Sequence, residues 1–123
     1  MKYTKAKFLI RTGESLREVS GYTFEAMFST ADVHKLGVHH EKGTALKHSH
    51  WVVTDLKTGL LVNEGATRKE AVERFMSVNL SKLERLVYSN VHYSASPACH
   101  ENGYEHLCSV FEEMARDYER GIA

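Results

Sequence analysis

The sequence predicts an α+β domain in which an antiparallel β-sheet of three to five strands precedes two or three helices packed on one of its faces. Three observations lead to this fold class. The first half of the chain alternates apolar and polar residues, as half-buried strands do. Residues 55–59 form a turn typical of β-hairpins, with Gly59 where a positive φ is needed. The second half places apolar residues at helical spacing and ends in a C-terminal helix, and this order of sheet and helices is an α+β pattern.

Strand-like patterns occur in five segments, which are residues 4–10, 22–28, 38–42, 48–56 and 60–63. The stretch between Gly13 and Gly21 is predicted to be irregular or strand. Ser29 with Asp32 predicts the start of a short helix. That helix is expected to end at Gly37, because glycine suits the left-handed position that follows a helix.

The helices of the second half are predicted from their caps. Thr67 and Glu70 form a capping box that opens the first helix. Ser81 offers a second cap, which leaves open whether one kinked helix or two helices follow. The last helix is predicted from about Tyr104 to about Arg120, since apolar residues recur there every three or four positions.

The predicted core collects the apolar residues that share one face of these elements. They are Phe8, Ile10, Phe24, Phe28, Trp51, Val53, Leu61, Phe75, Leu83, Leu86, Phe111 and Met114.

Length and composition narrow the class of protein. The 123 residues fit one domain, residues 1–123, with a single proline and no repeat. Sixteen basic residues balance sixteen acidic ones, so the formal net charge is zero. A dedicated nonspecific nucleic-acid binder normally has a basic excess, so direct nucleic-acid binding is not expected, although a local basic patch is compatible with zero net charge.

The sequence also predicts a compartment. Residues 1–11 form a short, charged segment in which apolar and polar residues alternate, unlike a signal peptide. No apolar run in the sequence is long enough to span a bilayer. Two cysteines, Cys99 and Cys108, are too few for a disulfide framework. A cytoplasmic protein with no membrane partner is therefore expected.

Eight histidines are a high count for this length, and the first group of them lies on neighbouring predicted strands. In His48-Ser49-His50, both imidazoles point to one face of a strand. If residues 43–47 form the loop, His40 lies roughly opposite His50. The side chains of His40, His48 and His50 would then be close enough to share a zinc ion. The alternative is a polar outer face without a ligand.

A second candidate zinc site lies around the last helix. Cys99 and His100 precede the helix, and His106 and Cys108 lie in its first turns. Thiolate and imidazole are the ligands that zinc prefers. His106 and Cys108 point about 200° apart on a regular helix, so only one of them fits one ion, together with Cys99 or His100 and a further residue such as His92. A buried inert thiol is the alternative for Cys108.

Motifs of common enzymes are absent from the sequence. It contains no glycine-rich phosphate loop, no Walker pattern and no G-x-S-x-G elbow. A Cys–His pair needs an environment that stabilises the thiolate. Asp55 and Glu64 beside the hairpin are explained as solvated turn and strand-end carboxylates. These observations favour a protein that is not an enzyme.

The segment W-V-V-T-D-L-K-T-G-L-L-V-N-E-G-A-T-R-K-E-A-V, residues 51–72, resembles a hairpin-then-helix element of small proteins encoded by phages and prophages of low-GC Gram-positive bacteria. The segment L-G-V-H-H-E, residues 36–41, adds to the resemblance. Some proteins from such neighbourhoods are counter-defence factors, including anti-CRISPR proteins, which usually act by binding, and a few carry zinc. The resemblance covers about a third of the chain and maps no functional residue. It implies a mobile-element protein that works in the host cytoplasm.

Three functions follow as expectations. The first is a small non-enzymatic binding protein, an anti-CRISPR inhibitor that binds a host CRISPR nuclease and has a structural zinc site. The second is a small zinc-dependent hydrolase or nuclease that uses His40, His48 and His50, for which the sequence offers no evident general base. The third is a structural component of a phage particle.

Overall fold

The fold is a five-stranded antiparallel sheet followed by helices, and a computed structural model describes its residues 1–46, 48–89 and 103–121. The strands lie side by side in chain order: β1 Thr4–Thr12, β2 Ser15–Met27, β3 Val33–Glu41, β4 His50–Asp55 and β5 Leu61–Gly65. The helical elements are α1 Arg68–Arg74, a π-helical segment Phe75–Asn79, α2 Leu80–Ser89 and α3 Tyr104–Glu119. The predicted α+β class, antiparallel sheet and C-terminal helix are confirmed.

The hydrophobic core lies between the sheet and the helices. Its buried members are Phe24, Ala26, Phe28, Leu36, Val38, Val53, Ala71, Val72, Phe75, Leu83 and Tyr104. Two residues predicted for the core are wrong, because Leu61 and Leu86 are 51% and 41% exposed. Leu61 lies at the rim of the opposite face of the sheet. Ile10 and Phe111 are buried as predicted but lie outside this cluster.

The short helix predicted to end at Gly37 is wrong, since Val33–Glu41 is the central strand β3, paired with β2 and β4. The preceding cap signal belongs to a tight turn instead. In that turn Ala31 has a φ of 68°, and the Phe28 N–H donates to the Asp32 carbonyl at 2.9 Å. Pairing on both edges of β3 outweighs the local helix signal, because the strand buries alternate residues in the core.

The sheet curls so that its outer strands meet at one end. The Arg11 N–H donates to the Gly59 carbonyl at 2.7 Å, which joins the end of β1 to the turn before β5. Inside the curl, the Phe8 ring lies so close to Gly37 that a Cβ on this glycine would be 2.6 Å from it. The stretch after Gly13 is part of β2, which confirms its strand alternative. The sheet face turned away from the helices is therefore concave.

The first two helices are continuous. α1 runs directly into the π-helical segment Phe75–Asn79 and then into α2, so no second cap separates them. Phe75 is fully buried in the core, and Asn79 Nδ2 donates to the Val62 carbonyl at 3.0 Å. The extra residue of a π-turn lets both anchors face the sheet. Among the helices of the described residues, none is long and apolar enough to cross a membrane.

The capping box predicted at the start of α1 is confirmed, and its removal has a measurable cost. The Thr67 side-chain oxygen accepts from the Glu70 N–H at 3.1 Å. Thr67→Ala is expected to lower the free energy of unfolding by about 1 kcal/mol, because one helix N–H loses its partner. Urea unfolding measures this change. Ser77→Ala, an exposed position in the same helical run, should change stability by less than about 0.5 kcal/mol. Equal stability of Thr67→Ala and the wild type would contradict the capping role.

Candidate functional site

A groove of about 330 Å³ opens on the concave face of the sheet. Its floor includes the buried residues Ile10, Val52 and Thr54. Val52 and Thr54 alternate along β4 with core-facing Val53, which places them on the face away from the helices. The volume lies near the lower end of the range of roughly 300–1,000 Å³ that proteins use for small ligands.

One wall of the groove is built from two residues of β3. Buried His39 has its Nε2 2.7 Å from Glu41 Oε1, and Glu41 also forms an ion pair with Arg17. Burial raises the pKa of Glu41, but hydrogen bonds from His39 and Arg17 outweigh it, so the pKa lies below its usual value of 4.5. Glu41 is therefore a carboxylate that accepts, and His39 Nε2 donates.

The second ring nitrogen of His39 is a polar atom of this wall without a hydrogen-bond partner among the described residues. Its Nδ1 is buried and makes no hydrogen bond with the described residues. A neutral imidazole that donates from Nε2 presents an acceptor at Nδ1. Buried polar atoms without a partner are rare, because each of them costs about 1–3 kcal/mol. Packing alone therefore does not explain why a polar side chain is buried at position 39.

The other wall of the groove comes from β4 and β5. His50 Nδ1 donates to the His48 carbonyl at 3.2 Å, and His50 Nε2 lies 3.5 Å from Glu64 Oε1. Strand register pairs Glu41 with His50. Two histidine–glutamate pairs therefore stand side by side across three strands of the concave face.

Two further cations line the groove. Arg11 and Lys42 belong to its lining, and in the described part of the chain neither forms an ion pair with a carboxylate. Together with Arg17, they set three permanent cations against the carboxylates of Glu41 and Glu64. Both carboxylates already have partners. An acidic group is therefore the favoured guest of this groove.

A second polar cluster is buried on the opposite face, under helix α3. The carboxylate of Asp55 accepts from His34 Nε2 at 2.8 Å, the Lys57 N–H at 3.1 Å, the Thr58 hydroxyl at 3.0 Å and the Tyr104 hydroxyl at 2.9 Å. Burial raises the pKa of Asp55, but the hydrogen bonds from His34, Lys57 and Tyr104 lower it below the usual 3.8. This set, the Asp55 cluster, connects β3, β4 and α3.

The Asp55 cluster is an anchor for helix α3. Asp55 is 1% exposed, so its interpretation as a solvated turn carboxylate is wrong. Burial and the charge of Asp55 raise the pKa of the Tyr104 hydroxyl. Burial is the largest cause that raises the pKa of the neighbouring Cys108 thiol, and the negative charge of Asp55 raises it as well. Both groups therefore keep their protons at neutral pH, which opposes their use as nucleophiles.

The first predicted zinc cluster is divided between the two faces of the sheet. His40 pairs with Trp51, and Glu41 pairs with His50, so the expectation that His40 lies opposite His50 is wrong by one residue. A shift of one residue reverses the face of every side chain. His40 therefore lies on the helix side and His50 in the groove, while His48 is an exposed loop residue.

The second predicted zinc cluster is described only in part. Cys99, His100 and His92 lie outside the described residues. His106 is exposed in α3, whereas Cys108 is half-buried against the core. Within residues 1–46, 48–89 and 103–121, no group of three or more histidine, cysteine, aspartate or glutamate side chains is arranged to hold a metal ion. Zinc binding by these residues stays a prediction.

One pair of residues in the sequence indicates the groove. His39 and Glu41 are two residues apart, so on one strand they share a face. The predicted zinc cluster contained His40, His48 and His50 but not His39. His34 lies within the short helix that the sequence predicts up to Gly37, whereas the structure places it on the central strand β3.

Comparison with protein-family models, curated proteins and solved structures finds no match to this chain.

Proposed function

We propose that this chain is a small non-enzymatic binding protein and that the concave groove is where it holds its partner. The observation that carries the proposal is the lining of the groove. A sheet face that served packing alone would be filled with apolar side chains, but this one holds buried His39, ionised Glu41 and a cationic rim. Polar groups that converge on an apolar floor are typical of binding sites.

The charge of the rim indicates what part of a partner enters. Arg11 and Lys42 line the groove without a carboxylate partner among the described residues. The groove of about 330 Å³ has room for an inserted side chain, and the side chains that contribute most to protein–protein binding fill pockets at the centre of the interface. A partner that presents an aspartate or glutamate side chain satisfies both its shape and its charge.

The proposed partner is a host protein, and the resemblance of residues 51–72 to phage-encoded proteins suggests a CRISPR effector nuclease. Inhibition by binding requires a specific surface and no catalytic centre. The groove provides such a surface on rigid strands, and preorganised sites lose little entropy on binding.

The test is complex formation with purified CRISPR effector nucleases of several types, measured by size-exclusion chromatography and calorimetry. We expect a stoichiometric complex with at least one of them. The double variant Arg11→Glu/Lys42→Glu should bind about tenfold more weakly at low salt, because reversed rim charges slow association. Lys82→Glu/Arg85→Glu changes the same total charge at exposed positions of α2 and should bind as the wild type does.

Two outcomes separate the parts of the proposal. If no nuclease type forms a complex, the inhibitor function is wrong. If a complex forms and both double variants bind equally, the nuclease is the partner but the groove is not its site. Circular dichroism of each variant shows that the fold is retained before binding is compared.

A further inference from the structure

The helix-side face of the sheet carries a local excess of positive charge, although the net charge of the chain is zero. Beyond the helices, this face leaves a trough of about 540 Å³. Its side chains include two lysines and three rings: Lys5, Lys7, Tyr22, His40 and Trp51. These five residues are here named the aromatic–basic platform. Among the described residues that line the trough, none carries a carboxylate.

Strand register orders the platform into rows that cross the sheet. Lys7 pairs with Ser20 and His40 pairs with Trp51. Because Gly21 pairs with His39, Ser20 lies beside His40, so one row runs from Lys7 through Ser20 and His40 to Trp51. Strands are spaced about 4.8 Å apart, so this row spans roughly 14 Å. The small Ser20 leaves the centre of the row open between the lysine and the rings.

The His40 and Trp51 rings of the platform are available for stacking, whereas Arg68 covers one face of the half-buried Tyr22 ring. The His40 and Trp51 rings lie 5.2 Å apart at 53°, with His40 exposed and Trp51 half-buried. Tyr22 pairs with Lys5 in the next row. The guanidinium of Arg68 lies 4.7 Å from the Tyr22 ring centroid, so it adds a third cation beside the platform.

The cations of the platform are free to bind phosphate. Lys5 and Lys7 are exposed, and in the part of the chain that the structure describes neither forms an ion pair. Glu18 lies on the same face opposite Leu9, outside the trough, and no ion pair joins it to a lysine among the described residues. Cations beside accessible rings on a sheet suit single-stranded nucleic acid, because phosphates bind the cations and bases stack on the rings.

We propose that the aromatic–basic platform binds single-stranded nucleic acid without strong sequence preference, stacking about two bases on the His40 and Trp51 rings. A duplex does not fit this mode, because its bases are already stacked on one another. The platform lies on the face opposite the groove, so its function stands independently of the partner proposed for the groove.

Trp51 is the only tryptophan of the chain, so its fluorescence reports directly on the platform. Titration with a 12-residue oligothymidylate or oligouridylate should quench Trp51 fluorescence to saturation, and the two arms distinguish DNA from RNA. His40→Ala should weaken binding by about tenfold, since one stacking ring is lost. The double variant Lys5→Gln/Lys7→Gln should weaken binding by more than about tenfold. It should also reduce the slope of log affinity against log salt by about 1.4, which corresponds to two lost phosphate contacts.

Controls make each result decisive. Lys82→Gln/Arg85→Gln removes the same charge from exposed positions of α2 and should leave affinity and salt slope unchanged. Thermal unfolding confirms that every variant is folded. The proposal is overturned if the oligonucleotides do not quench Trp51, if a duplex of equal length binds as tightly, or if a polyglutamate peptide quenches with the same affinity. Equal loss of affinity in the α2 control would also overturn it.

Discussion

Replacing Asp55 by alanine is expected to lower the free energy of unfolding by about 3–5 kcal/mol, because removing one partner of a buried ionic network leaves the others unsatisfied. His34, Thr58 and Tyr104 each direct a polar atom at the Asp55 carboxylate. All of them are almost fully buried, so water cannot replace the lost acceptor without opening the structure. Urea unfolding monitored by circular dichroism measures the change.

Two further variants show where this loss comes from. Tyr104→Phe removes a single hydroxyl of the Asp55 cluster and should cost about 1–2 kcal/mol. Glu113→Gln changes an exposed carboxylate of the same helix α3 and should stay within about 0.5 kcal/mol of the wild type. If Asp55→Ala is no more destabilising than Glu113→Gln, the Asp55 cluster does not anchor α3.

The same carboxylate predicts a pH dependence. Although burial opposes it, hydrogen bonding holds the pKa of Asp55 below its usual value of 3.8. A carboxyl group whose pKa is lowered by folding stabilises the folded state above its ordinary pKa, and this stabilisation is lost as pH falls through the lowered pKa. The stability difference between wild type and Asp55→Ala should thus be constant near neutral pH and shrink below about pH 3.8. A difference that grows as the pH falls contradicts this assignment.

Local signals predicted the parts of the fold that local interactions decide. The alternation of residues 4–10, the turn that ends at Gly59 and the cap at Thr67 all appear as predicted. Gly59 has a φ of 70°, and the Phe111 ring of α3 leaves no room for a Cβ there. Such features depend on a few neighbouring residues and are visible in a single sequence.

Pairing between strands decided the features that local signals missed. The strand β3 carries buried His34, Leu36 and Val38 in alternation, but a cap signal and Gly37 competed with that pattern. Its pairing with the preceding strand β2 and the following strand β4 settles the competition. A local pattern contains no information about those partners.

The candidate sites were hard to predict because they depend on register. The turn between β3 and β4 fixes whether His40 or Glu41 faces His50, and one residue of difference moves a side chain to the other face. That single step places His39 and Glu41 in the groove and His40 on the aromatic–basic platform. The residue types predicted polar sites on these strands. Only the strand register shows that the polar residues lie on two opposite faces of the sheet.

Phe75→Ala is expected to lower the free energy of unfolding by about 3–5 kcal/mol, because it opens a cavity at the centre of the core. Phe75 is fully buried, and its ring meets the Phe24 ring edge-on at 6.2 Å. It is also the first residue of the π-helical segment. Neighbouring side chains are held by the sheet on one side and by α1 on the other, which limits their collapse into the cavity.

A matched pair of variants separates burial from helix propensity at this position. Val78→Ala lies in the same π-helical segment but is 53% exposed, so it should change stability by less than about 0.5 kcal/mol. Phe75→Leu keeps part of the apolar volume and should fall between Phe75→Ala and the wild type. Equal losses for Phe75→Ala and Val78→Ala would mean that the π-helical segment, rather than core packing, dominates the stability of this region.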